Sequence, residues 1–126
     1  MPPKAMVVDD SSFQRTVVSE AIGDYVEIVE TTENGQKAVE MFAEAKPDIM
    51  TMDIMMPEMN GIEALSKIKS QSPETKIVMV TSVSQKENAR SSEAGADGYV
   101  TKPFEAEDLT AEITQSLDEN LWPDRC

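Results

Sequence analysis

Five side chains in this sequence are of types that do chemistry together: Asp9, Asp10, Asp53, Thr81 and Lys102. Each stands where a short apolar run ends. Ala5-Met6-Val7-Val8 leads into the acid pair and Ile49-Met50-Thr51-Met52 into Asp53. Ile77-Val78-Met79-Val80 leads into Thr81, and Gly98-Tyr99-Val100 ends at Thr101-Lys102. Open parallel sheets keep their reactive groups at the carboxyl ends of buried strands. If these runs are neighbouring strands, three carboxylates, a hydroxyl and an ammonium face one crevice. Two carboxylates about 4 Å apart repel by roughly 4 kcal/mol at an effective dielectric near 20, so three of them need a counter-charge. Carboxylate oxygens on an open rim suit Mg²⁺, which keeps several waters and prefers octahedral oxygen coordination. A metal so held invites a phosphoryl group, to whose oxygens Lys102 offers an ammonium and Thr81 a hydroxyl. A carboxylate beside it can be the nucleophile, giving an aspartyl phosphate.

Plainer readings of the same residues stand beside this one. Asp9 and Asp10 could be acids at a helix entry, Thr81 a strand-end hydroxyl bonded to backbone, and Lys102 a solvated lysine before a helix-starting proline.

The elements that must position these groups alternate along the chain. After the first strand, Ser11 or Ser12 caps a helix with Phe13, Val17, Val18, Ala21 and Ile22 on one face, and Gly23-Asp24 ends it. Val26 to Glu30 alternates apolar and acidic residues, as an edge strand with one wet side does. Asn34-Gly35 starts a second helix, in which Ala38, Met41, Phe42 and Ala45 share a face, and Lys46-Pro47 stops it. Asn60-Gly61 starts a third, carrying Ala64, Leu65 and Ile68. Ser84 and Glu87 have capping-box spacing for a fourth, which is polar from Gln85 to Glu93 except at Ala89 and has little surface to bury. Leu109, Ile113, Leu117 and Leu121 line the last helix, ended by Trp122-Pro123. Five strands and five helices in alternation predict an α/β fold: a doubly wound five-stranded parallel sheet of order 2-1-3-4-5, as in flavodoxin. The switch point of that order lies between the first and third strands, beside Asp9, Asp10 and Asp53.

Composition narrows the chemistry. A chain of 126 residues fits one domain. It has no histidine and a single Cys126, so histidine-based triads, Cys/His nucleophiles and zinc sites are excluded. With 24 acidic against 11 basic residues the formal charge is -13, which opposes nucleic acid and anionic membranes. No apolar run approaches a membrane span and the N-terminus has no apolar signal core, so a cytoplasmic protein without membrane insertion is expected.

At these residues the sequence resembles the receiver domains of two-component response regulators, and within them the stand-alone chemotaxis type called CheY. The resemblance runs from Val7-Val8-Asp9-Asp10 through Asp53, Met56-Pro57-Glu58-Met59-Asn60-Gly61 and Thr81 to Gly98-Tyr99-Val100-Thr101-Lys102-Pro103-Phe104. It implies that Asp53 is the phosphoacceptor. Asp10 and Asp53 would bind Mg²⁺ directly with the backbone carbonyl of Met55, and Asp9 largely through water. Thr81 and Lys102 would contact the phosphoryl group, Tyr99 would be the aromatic switch residue, and the Lys102-Pro103 bond would be cis. It further implies a signalling domain and not an enzyme. By the same resemblance its phosphodonor would be a sensor histidine kinase, the chain having no histidine of its own. Its target is an output protein such as a flagellar motor switch, read out on the fourth helix, last strand and last helix. A phosphatase is a possible further partner, and a monomer is expected. Residues 1–121 form the receiver and 122–126 a tail, in either a whole regulator or a receiver cut from one with an output domain. Met55 and Val83 are apolar where some family members carry polar or acidic side chains that orient an attacking water, so a long-lived aspartyl phosphate is expected.

Three rivals fit less well. A haloacid-dehalogenase-type phosphatase needs a second aspartate two residues after the nucleophile, where Met55 stands. A flavodoxin's phosphate loop would be repelled by Asp9 and Asp10. A pure binding module would leave the filled reactive positions without use. The nine methionines serve as core and loop filling, with Met55, Met56 and Met59 also able to form a soft docking surface.

Overall fold

The structure, a computed structural model, describes residues 2–54, 56, 59–81 and 95–116. Within them five strands form one parallel sheet: β1 (Lys4–Val8), β2 (Glu27–Thr32), β3 (Ile49–Met52), β4 (Lys76–Thr81) and β5 (Gly98–Thr101), in the order β2-β1-β3-β4-β5. Four helices are described: α1 (Ser12–Ile22), α2 (Gly35–Ala45), α3 (Gly61–Gln71) and α4 (Ala106–Ser116). The expected sheet order is borne out, with β2 at one edge. The polar helix expected to start at Ser84 and run through Glu93, and the end of the last helix at Leu117 and Leu121, lie outside the described residues.

Local chemistry starts the helices where the sequence places them. The side chains of Ser11, Asn34 and Asn60 accept hydrogen bonds from the N–H groups of Gln14, Lys37 and Glu63, satisfying donors that the first turn leaves free. α2 ends at Lys46, whose φ of 49° puts it in the left-handed region, and Pro47 follows.

Two chemically different layers cover the sheet. Under α1 and α4 the buried residues are Ala, Val, Ile and Leu, among them Val7, Val18, Ile22, Val78, Leu109 and Ile113. Under α2 and α3 the layer is rich in methionine: Met6, Met50, Met52, Met59 and Met79 are buried in it, and Met41 and Met56 pack against it. Met59 is buried and Met56 half-buried, so Met59 fills the core and Met56 packs at its edge. Met55 lies outside the described residues.

Phe13 departs from expectation. It is 71% exposed, not part of the buried face of α1. Val18 and Ile22 turn into the core, while Phe13 and Val17 lie one turn apart over a cleft shared with Lys102, Pro103 and Phe104. In the first helical turn Phe13 meets the loop after β5 and not the sheet.

Candidate functional site

β1 pairs with both β2 and β3, so the chain reverses direction of winding between β1 and β3 and leaves a crevice at their carboxyl ends. Backbone hydrogen bonds run one step beyond each strand and fix the register of the residue just past its end. The Asp9 N–H donates to the Thr32 carbonyl at 3.1 Å, the Asp53 N–H to Val8 at 3.1 Å, and the Lys102 N–H to Thr81 at 2.9 Å. Four separate strand ends thereby deliver their side chains to one place.

The acids converge as expected. Asp9, Asp10 and Asp53 each offer a carboxylate oxygen, and these oxygens all lie within 4.8 Å of one another. Asp9 and Asp53 are buried and Asp10 is exposed at the rim. Lys102 reaches into the cluster with its Nζ 2.7 Å from Asp9 Oδ2 and 3.5 Å from Asp53 Oδ2. It is therefore not a solvated surface lysine. The Thr81 hydroxyl hydrogen-bonds the Asp53 carboxylate, as does the Ile54 N–H, so the hydroxyl has a partner in the site itself. Asp9 Oδ1 accepts the Ser11 N–H at 2.9 Å, which closes the turn between β1 and α1. The Lys102-Pro103 peptide is cis.

Burial pushes the Asp53 carboxyl above its ordinary pKa. The Lys102 ammonium pulls it back down, the Asp9 carboxylate raises it further, and the hydrogen bonds from Thr81 and Ile54 lower it. One lysine thus compensates three acids only in part. Hard oxygen donors in this number, on a partly open rim with an uncompensated negative charge, fit a divalent cation of the Mg²⁺ kind.

Two members of the site carry weak sequence signals. A Cβ built on Gly61 would stand 2.0 Å from the Asp53 carbonyl oxygen, so glycine is needed there for close approach to the strand end. In the sequence Gly61 reads only as a helix start after Asn60. Arg15 donates from Nη1 to the Asp9 carbonyl at 2.6 Å. Its spacing from the acid pair matches no motif.

Tyr99 lies in β5 with its ring half-buried against the methionine-rich layer. In the register of the sheet, Met52 pairs with Met79 and Met79 with Tyr99. Its hydroxyl is buried and has no hydrogen-bond partner among the described residues, and the same is true of the Thr51 hydroxyl.

Residues 5–114 match the family model described as response regulator receiver domain. The chain belongs to the response regulator receiver family. It is 42% identical over 118 residues to the chemotaxis protein CheY of Halobacterium salinarum, covering 93% of this chain and 98% of that protein. To the chemotaxis protein CheY of Bacillus subtilis it is 36% identical over 120 residues, covering 94% and 100%. The crystal structure of the response regulator domain of Thermotoga maritima CheB superposes with a TM-score of 0.86 at 34% identity, covering 94% of this chain and 99% of that one. This is a CheY-like signalling receiver, activated by phosphorylation and involved in chemotaxis. Among the described residues no helix is long and apolar enough to cross a membrane.

Proposed function

We propose that Asp53 is the phosphoacceptor of this receiver and that Asp9, Asp10, Asp53 and the Met55 carbonyl hold Mg²⁺. The supporting observation is the meeting of three carboxylates with the Lys102 ammonium at the switch point of the sheet. Held by these groups, the cation would supply positive charge to offset that on the phosphoryl oxygens.

The chain's own residues do the positioning. One oxygen of the Asp53 carboxylate attacks the phosphorus of a phosphohistidine on a sensor kinase. An O–P bond forms as the N–P bond breaks, and the electron pair leaves with the imidazole. Lys102 and Thr81 receive the phosphoryl oxygens, Lys102 with its ammonium and Thr81 with its hydroxyl. The hydroxyl, hydrogen-bonded to the Asp53 carboxylate in the unmodified protein, moves onto the new acceptor. That movement draws on the segment after Thr81 and on Tyr99, and the surface of that segment, β5 and the last helix presents the change to an output protein such as a flagellar motor switch. Asp53 is modified once per signal, which makes the chain a phosphoacceptor and not a turnover enzyme. A phosphatase partner resets it. The same reading takes residues 1–121 as the receiver and 122–126 as a tail, and the protein as a cytoplasmic monomer.

Incubation with Mg²⁺ and acetyl phosphate, followed by intact mass, tests the assignment. Wild type gains the mass of one phosphoryl group, while Asp53→Asn and wild type with EDTA gain none. Equal labelling of Asp53→Asn removes it.

A further inference from the structure

We infer that Arg15 is a positioning residue for the cation site, holding the Asp9–Asp10 peptide so that Asp10 faces Asp53. This inference rests on the Mg²⁺ reading above. The turn between β1 and α1 has a particular problem of donors. α1 takes its first backbone bond from the Arg15 N–H to the Ser11 carbonyl, so the carbonyl of Asp9 lies before the reach of the helix. The Arg15 guanidinium supplies the missing donor at 2.6 Å. A helical side chain leans toward the N-terminus of its helix, which brings the long stem of Arg15 back over the first turn to that carbonyl.

The consequence falls on Asp10. Asp9 is fixed by other contacts as well: its N–H bonds Thr32, its Oδ1 accepts from Ser11 and its Oδ2 pairs with Lys102. Asp10 is exposed, and among the described residues no hydrogen bond holds its carboxylate. The orientation of its Cα is inherited from the peptide plane that Arg15 grips. Arg15 also lines a cleft with Thr31, Thr32, Glu33 and Lys37, so the same side chain spans from the acid turn to the loop before α2.

Charge and position predict opposite signs. If Arg15 acted only as a cation near the cluster, its removal would strengthen Mg²⁺ binding. If it positions Asp10, removal weakens binding, and partners that orient metal ligands are typically worth about 10- to 100-fold in affinity. Mg²⁺ affinity is measured by calorimetry on the whole chain for wild type, Arg15→Met, which keeps the stem and loses the donors, and Arg15→Lys, which keeps a donor and the charge. Arg15→Met is expected to bind at least about 10-fold more weakly, with Arg15→Lys regaining most of the loss. Unchanged or tighter binding in Arg15→Met overturns the inference. A wild-type protein that binds no Mg²⁺ overturns the cation reading instead. Should Arg15→Met fail to fold, the Arg15 guanidinium resonance in ¹⁵N-arginine wild type decides: it shifts on Mg²⁺ addition if the grip is coupled to the site, and a resonance that stays still overturns the inference.

Discussion

Gly61 lies against Asp53 so closely that no side chain fits between them: a Cβ there would meet the Asp53 carbonyl oxygen at 2.0 Å and the Ile54 Cα at 2.9 Å. The Gly61 N–H also donates to the Ile54 carbonyl at 2.8 Å. The start of α3 is thereby docked onto the strand end that carries the proposed phosphoacceptor. Gly61→Ala must push backbone against backbone, which no rotamer change relieves, and overpacking of this kind costs about 1–3 kcal/mol or more. Denaturant melts should show a loss in that range together with weaker Mg²⁺ binding. A Gly61→Ala protein as stable as wild type would show that the turn yields without cost.

The raised pKa of Asp53 gives a stability effect of definite sign. Without metal, the folded protein holds the Asp53 proton more tightly than the unfolded chain does, so folding loses stability as pH rises through the raised value. Below the unfolded carboxylate pKa both states are protonated and the penalty is absent. Asp53→Asn, neutral throughout, should melt a few degrees above metal-free wild type at neutral pH. The advantage should shrink as the solution is acidified. Saturating Mg²⁺ should narrow or reverse it, since only the carboxylate gains a ligand. A metal-free Asp53→Asn that melts below wild type at neutral pH contradicts this charge balance.

Removing the Tyr99 hydroxyl should help the fold. Buried and with no partner among the described residues, it carries a desolvation cost of about 1–3 kcal/mol that phenylalanine would not. Tyr99→Phe is expected to raise stability by about 1 kcal/mol in urea melts. A loss of stability would mean that the hydroxyl is satisfied in solution.

Most of the fold is legible in the sequence because its signals are local and agree with one another. The run Ile77–Val80 is apolar at every position and is buried on both faces, and Asn34 and Asn60 cap the helices they precede. Asp9, Asp53 and Lys102 are found from sequence because the end of a parallel strand is also the mouth of the crevice. What sequence misses depends on direction in space. Phe13 has the helical spacing of a core residue, yet Val18 and Ile22 set the buried stripe and leave it at the cleft beside Pro103. Arg15 looks like any charged residue of an amphipathic helix until its reach to Asp9 is seen. For Gly61 the helix-start signal hides the close approach to Asp53.

Salt should stabilise the protein. A formal charge of -13 on 126 residues repels itself most in the compact state. Raising salt from about 0.01 to about 1 M shortens the screening length from ~30 to ~3 Å. Among the described residues the attractive surface pairs that salt also weakens are few, such as Lys37–Glu33, while Lys102–Asp9 is sheltered by burial. Thermal melts in potassium chloride should therefore climb by several degrees over that range. A flat or falling curve would place the acidic residues in a more balanced field than their number implies.

The lifetime of the phosphorylated state should be set by two apolar residues. Met55 is two residues after Asp53 and Val83 two after Thr81, and neither side chain carries a strong acceptor or base to orient a water for attack on an aspartyl phosphate. General-base assistance to a hydrolytic water contributes typically about 10²–10⁴-fold when it is present. Its absence at these positions predicts slow loss of phosphate in Mg²⁺ alone. A polar amide or a carboxylate should restore a hydrogen bond to the water, so Met55→Asn and Val83→Glu are each expected to shorten the lifetime several-fold. Following ³²P release from the purified, phosphorylated proteins measures this directly. Faster decay in wild type than in both variants would show that the attacking water is oriented by other groups.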